Sequence, residues 1–274
     1  GRVVAVKVRR ASARLDACTT AHRTAHEAGI DCPAPLAGPA PMSDDPQLAV
    51  LAETWRADGA IWPSEDPPGN YGRLQAALVT ALAGIDPAPF TPPPAWLRYD
   101  HRAAGRLWPP VTAARRDPED VQYELPPGLA GYAHAARERL LAASLPAVVG
   151  HAALSGLHVR WLDGPKGAPV AVVHGWEELA ARPEAALVGC LAASFNELPD
   201  QPRIAPVVEG ERVLAAYQAA SGRTFTTEEV EVAWAASAWV ACYTAAMEHV
   251  SGAPGQATHQ VVTDGQLRLH LAGC

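Results

Sequence analysis

The stretch from Val148 to Glu178 constrains the fold of this chain more than any other. An apolar run ends in Gly150-His151 and is followed by a short loop. Then come Val159-Arg160-Trp161, the turn Gly164-Pro165-Lys166-Gly167, and a second apolar run, Val170 to Val173, that ends in His174-Gly175-Trp176-Glu177-Glu178. Short β-branched runs on either side of such a turn predict a hairpin with a loop at each end. Both loops should then lie beside each other, which gathers His151, Ser155, His158, His174, Glu177 and Glu178 into one region.

This layout resembles the catalytic centre of the aminoglycoside phosphotransferase/choline kinase family, a branch of the protein-kinase-like fold. Members of that family carry a loop of the form H-G-D-x-x-x-x-N, then a hairpin, then a metal-binding Asp before Trp and an acid. Here His151 stands at the loop's His, Ala152 at its Gly, Ala153 at the catalytic Asp and His158 at the Asn. Gly175 stands where the metal-binding Asp belongs, while Trp176 and Glu177 match the residues after it. The likeness runs from Val3 to His249 and is strongest between Val148 and Gly189. It implies an α+β, two-lobed fold: an N-terminal strand and helix lobe over residues 1–55, and a larger, mainly helical lobe over 56–274.

The same resemblance assigns chemistry. Phosphoryl transfer on this architecture uses an Asp that orients the attacking hydroxyl, an Asn and a second Asp that hold magnesium, and a lysine on the phosphates. Ala5-Val6-Lys7 looks like the lysine strand, so Lys7 is the expected phosphate residue. Alanine at 153 has no lone pair with which to take a proton. Glycine at 175 cannot ligate a cation, and the imidazole of His158 suits magnesium poorly because that ion wants octahedral oxygen. No strand or phosphate-covering loop precedes Gly1, so the sheet lobe is expected to be incomplete as well.

Elsewhere the residues speak more quietly. Arg14 to Ala28 reads as a helix capped by Ser12, at the place where the family carries the lysine's glutamate partner; that position falls near Cys18, with Asp16 the nearest acid. His22 and His26 share a face four residues apart, a metal pair without a third ligand. Cys32 to Leu36 opens a Pro-rich loop, and Gln47 to Ala52 is a strand that runs into Glu53. Helices are expected at 70–83, 129–144 (with Arg137, Glu138 and Arg139 solvated), 179–198 and 207–220. Another should run from a capping box at Thr226 and Glu229 through His249, with Trp234 and Trp239 in the core. His259 to Cys274 alternates enough for a strand or hairpin that turns at Asp264-Gly265.

Composition bounds the partners. The chain is 49% hydrophobic and 19% charged with a net charge of −7, which offers no general attraction to nucleic acid or to anionic membrane. Five scattered cysteines without a C-x-x-C pair suggest reduced thiols. No apolar run approaches the length of a membrane span and no leader pattern opens the chain, so a cytoplasmic location is expected. Richness in Ala, Pro, Arg and Val fits a high-GC bacterial coding sequence.

Three functions follow as expectations. The first is a degenerate member, a pseudokinase that binds or scaffolds a small molecule, peptide or protein partner between its lobes without cofactor or metal. The second is a biosynthetic enzyme of bacterial secondary metabolism that uses His151, His158, His174, Glu177 and Glu178 for acid-base work. The third is residual phosphotransfer with ATP and magnesium, in which Glu177 or Glu178 holds the metal and Ser155 or His151 aids the acceptor.

Overall fold

The computed structural model describes residues 3–111, 117–164, 169–199, 201–253 and 255–274. The Gly164 to Gly167 turn of the expected hairpin lies largely outside them. The chain opens with β1 (Val4–Arg10), α1 (Ala13–Glu27), β2 (Pro35–Pro41) and β3 (Leu48–Thr54), and these strands form an antiparallel sheet in the order β1-β3-β2. Ser12 caps α1 as expected, its Oγ accepting from Leu15 N at 3.1 Å. β2 replaces the Pro-rich loop of the sequence reading. Its prolines sit on an edge strand, where a missing N–H costs no ladder bond, and two register shifts absorb the mismatch.

The remaining chain is mostly helical: α2 (Pro67–Ala81), α3 (Leu129–Ala142), α4 (Glu184–Ser194), α5 (Val207–Ser221), α6 (Thr227–Val250) and α7 (Gln256–Leu271). Two strand pairs lie among them. β4 (Ala147–His151) pairs with β7 (Leu179–Pro183), and β5 (Val159–Asp163) pairs with β6 (Pro169–Val173) as the expected hairpin. β7 corrects the reading of a helix from Leu179. The helix starts at Glu184, because the backbone of 179–183 completes the ladder with β4.

α6 is buried almost all round, which marks it as the central helix, and α3, α4 and α7 pack on it. The Thr226 and Glu229 capping box is present, and Trp234 and Trp239 are in the core. Gly189 of α4 lets the two helices cross closely: an added Cβ would lie 2.6 Å from the carbonyl carbon of Ala233.

The C-terminal segment is a helix, contrary to the strand expected there. Its buried residues, Ala257, Val261, Asp264, Gly265, Arg268 and Leu269, recur every three or four positions. Glu248 at the end of α6 caps it, accepting from the N–H groups of Gly255, Ala257 and Thr258. Glu138 is exposed as expected, while Arg137 and Arg139 are half-buried. Arg137 donates to the carbonyls of Tyr99, His101 and Arg106, and Arg139 pairs with Glu231 at 2.8 Å. No helix among the described residues is long and apolar enough to cross a membrane.

Candidate functional site

Where β4 gives way to a loop, His151 organises the backbone. Ala153 N–H donates to its Nδ1 at 3.1 Å, so the proton sits on Nε2, which donates to the carbonyl of His174 at 2.9 Å. Ala152 N–H reaches the carbonyl of Glu178, and His174 N–H that of His158, so the two loops are laced together. Burial, with His158 adding to it, pushes the His151 imidazole down to about 4, and it is neutral at physiological pH. The ring is a brace. Ser155, 1% exposed, is likewise internal: its Oγ accepts from Leu157 N–H.

His158 and Gly175 face each other. Gly175 has φ +67°, and a Cβ built on it would press on Nδ1 of His158 and lie 2.6 Å from Cγ. The imidazole therefore fills the space in which a side chain at 175 would begin. Gly175→Asp is expected to cost about 1–3 kcal/mol by overpacking, and His158→Asn in the same chain to restore most of it. Denaturant melts of the two single variants and the double variant read the coupling. Additive costs would show that the ring does not occlude position 175.

The remaining candidates do not share one hollow. Lys7 and His174 line a cleft of about 390 Å³ between the sheet and the hairpin, together with Glu53, Trp55, Arg56 and Arg160. Lys7 has no acid on α1. Its Nζ pairs with Oε1 of Glu53 at 2.8 Å, a diagonal neighbour on β3 whose register places Leu51 opposite Lys7. Arg56 is clamped by Asp31 and Asp58, and burial together with the Arg160, Lys7 and Arg56 charges pushes His174 down to about 4. Arg9 pairs with Glu177 at 2.7 Å, and both line a separate hollow beside α1 with Lys7, Glu53 and Trp176. Burial works to raise the Glu177 carboxyl, but the Arg9 hydrogen bond and the Lys7 charge hold it below its ordinary value. Glu178 is raised by burial and by Glu177.

A second cavity, of about 260 Å³, lies between the 152–158 loop, the end of α4 and the outer half of α6. Ala153 and His158 line it, with Trp96, Leu157, Val240 and Met247 as apolar wall and Ser194, Thr244 and Glu197 as polar points. Burial alone raises the Glu197 carboxyl to about 7. His158 is lowered by burial, against the pull of Glu177. Neither side chain has a hydrogen-bond partner among the described residues.

The structure thus brings His158 and Ala153 to one hollow, Lys7 and His174 to another, and buries His151 and Ser155. It adds Glu53 and Glu197, which the sequence reading passed over. Glu53 was findable from its same-face position next to Lys7 once the strands were paired; an acid after a helix end, as at Glu197, reads as surface.

α1 is fastened to this region. His22 stacks on Trp176 with centroids 4.5 Å apart and an interplanar angle of 9°, and its Nε2 meets the carbonyl of Pro33. Arg14 donates to the carbonyls of Phe90, Glu177 and Leu179. His22 is therefore spoken for, and no group of three or more His, Cys, Asp or Glu side chains able to hold a metal occurs among the described residues.

No family model matches the chain, and no curated protein matches it. Solved structures do. An aminoglycoside phosphotransferase from Alicyclobacillus acidocaldarius subsp. acidocaldarius DSM 446 is similar at 12% identity over 100% of this chain and 86% of its own, with a TM-score of 0.55. Spectinomycin phosphotransferase APH(9)-Ia, solved with ADP and spectinomycin, is similar at 7% identity over 100% and 86%, with a TM-score of 0.57. Amicoumacin kinase hAmiN, solved with AMP-PNP, calcium and Ami, is similar at 7% identity over 98% and 81%, with a TM-score of 0.58.

Proposed function

We propose that this chain, which has the two-lobed protein-kinase-like fold of those phosphotransferases, binds a small molecule and does not transfer phosphate. The observation that carries the reading is the packing of His158 against Gly175. In the fold's phosphotransfer chemistry two oxygen ligands hold the metal and a carboxylate orients the acceptor. Here the metal positions hold an imidazole and a glycine whose space that imidazole fills, and the acceptor position holds Ala153. Glu177 is engaged by Arg9 and Lys7 by Glu53. These residues do not fit a magnesium triphosphate. What they leave is a cavity with apolar walls and few polar points, just below the usual size of sites for drug-sized ligands and so suited to a compact molecule.

Titration calorimetry with ATP, with and without magnesium, tests the loss of phosphate handling. The expected result is no magnesium-dependent heat; magnesium-dependent saturation would overturn the reading. Ligand-observed NMR with a set of compact apolar fragments tests the cavity. Fragments should bind the native chain and lose binding in Thr244→Trp, which fills the cavity from α6. Equal binding in both would place the ligand elsewhere.

A further inference from the structure

We propose that the 260 Å³ cavity moves protons on carbon, with Glu197 as the base and His158 as the hydrogen-bond donor, acting on a compact apolar carbonyl compound. The inference rests on the reading of that cavity as a small-molecule site and assigns it a reaction class.

The argument begins with what surrounds Glu197. It follows α4, and its own backbone carbonyl accepts from Gly156 N–H, which ties it to the 152–158 loop. The titratable neighbours come from each packed element. Cys190 on α4 is a buried thiol bonded to the carbonyl of Ala152. His158 comes from the loop, and Tyr243 and Glu248 from α6. Glu248 is consumed by the N–H groups that start α7. Among the described residues no cation pairs with Glu197, so a carboxyl that lines a largely apolar cavity has no partner there, and burial holds it near the pH at which it both gives and takes a proton.

His158 on another wall of the same cavity is shifted the opposite way and is neutral at pH 7. Two groups pushed apart by their surroundings take complementary roles. In the step that fits, the Glu197 carboxylate takes the proton from the carbon next to a carbonyl. The C–H electron pair becomes a carbon–carbon double bond, and the carbonyl π electrons move to oxygen, where the His158 N–H donates a hydrogen bond. In a β,γ-unsaturated substrate Glu197 then returns the same proton to the γ carbon: the carbonyl re-forms, the new double bond settles between the α and β carbons, and the old β,γ bond's electrons take the proton. A double bond has migrated, no atom is gained or lost, and no co-reactant is consumed. The apolar walls of Trp96, Leu157, Val240 and Met247 select an apolar substrate.

The probe is 5-nitrobenzisoxazole, which a base opens by taking the proton on C3 as the nitrogen–oxygen bond breaks to a phenolate. The native chain should open it on the order of 100-fold faster than the same concentration of acetate, with a rate that rises with pH through a midpoint near 7. Glu197→Gln should fall to the acetate rate and His158→Phe should lose part of the acceleration. Thr244→Trp, which leaves the carboxyl intact but fills the cavity, should also abolish it, so the test survives if Glu197→Gln fails to fold.

An independent readout is stability. A carboxyl raised in the folded state keeps its proton to higher pH there than in the unfolded chain, so stability falls as pH rises between about 4.5 and 7. Glu197→Gln should flatten that slope. A native rate no faster than acetate, or full activity in Glu197→Gln, overturns the proposal. Binding of the unreactive analogue 5-nitrobenzotriazole separates the two failures. If it binds without ring opening of the probe, the cavity is a binding site and the proton-transfer assignment is wrong. If it does not bind, both readings fall.

Discussion

Asp264→Ala is expected to destabilise the chain by about 3–5 kcal/mol, the largest loss from any single polar substitution here. Arg268 is 0% exposed, and its guanidinium is held by both oxygens of Asp264, at 2.9 and 3.0 Å, as well as by Ser237 on α6 and the carbonyl of Ala205. The Asp264 carboxylate also accepts from Gln260 and from Val207 N–H at the start of α5. Removing it strands a buried cation and frees an N–H at a helix start. Converting both partners, with Asp264→Leu and Arg268→Met, should cost less than Asp264→Ala alone, since the pair's own attraction barely exceeds its desolvation. Denaturant unfolding measures both, and a fall in Tm on the order of 10 °C should accompany the single change. A loss under about 1 kcal/mol would show that Arg268 reaches solvent when its partner goes.

Gly189→Ala is the second large effect, at about 3 kcal/mol or more. The added Cβ would meet the Ala233 carbonyl carbon at 2.6 Å and its Cα at 2.8 Å, and press on its oxygen. Backbone on a helix packed between α3 and α7 has nowhere to retreat, so the crossing itself must open. Gly131→Ala is the control. On exposed α3 surface its Cβ meets nothing within 4 Å, and the helix should gain about 0.5–1 kcal/mol. If both substitutions give the same sign in thermal melts, the close approach of α4 and α6 is not tight.

Much of the fold was legible because its signals were local. Ser12 and the Thr226 and Glu229 box announce their helices, and the runs on either side of the 164–167 turn announce β5 and β6. What failed to show depended on distant pairing or on polar residues inside. Leu179 to Ala181 carries no strand signal of its own and is extended because β4 needs a partner. α7 hides its helical period because two members of its buried face, Asp264 and Arg268, are charged and satisfy each other. The sequence singled out Ala153, His158 and Gly175 but not the way the ring covers the glycine, a matter of three-dimensional packing. It could not anticipate Glu197, whose character comes from the walls around it.

The stacking of His22 on Trp176 and the reach of Arg14 to three carbonyls have a mechanical result. A two-lobed protein that must admit and release a nucleotide each cycle needs freedom to rock about its hinge. Here α1 is pinned to the helical part at several points, so parting the two would first have to break a ring stack and three hydrogen bonds to backbone carbonyls.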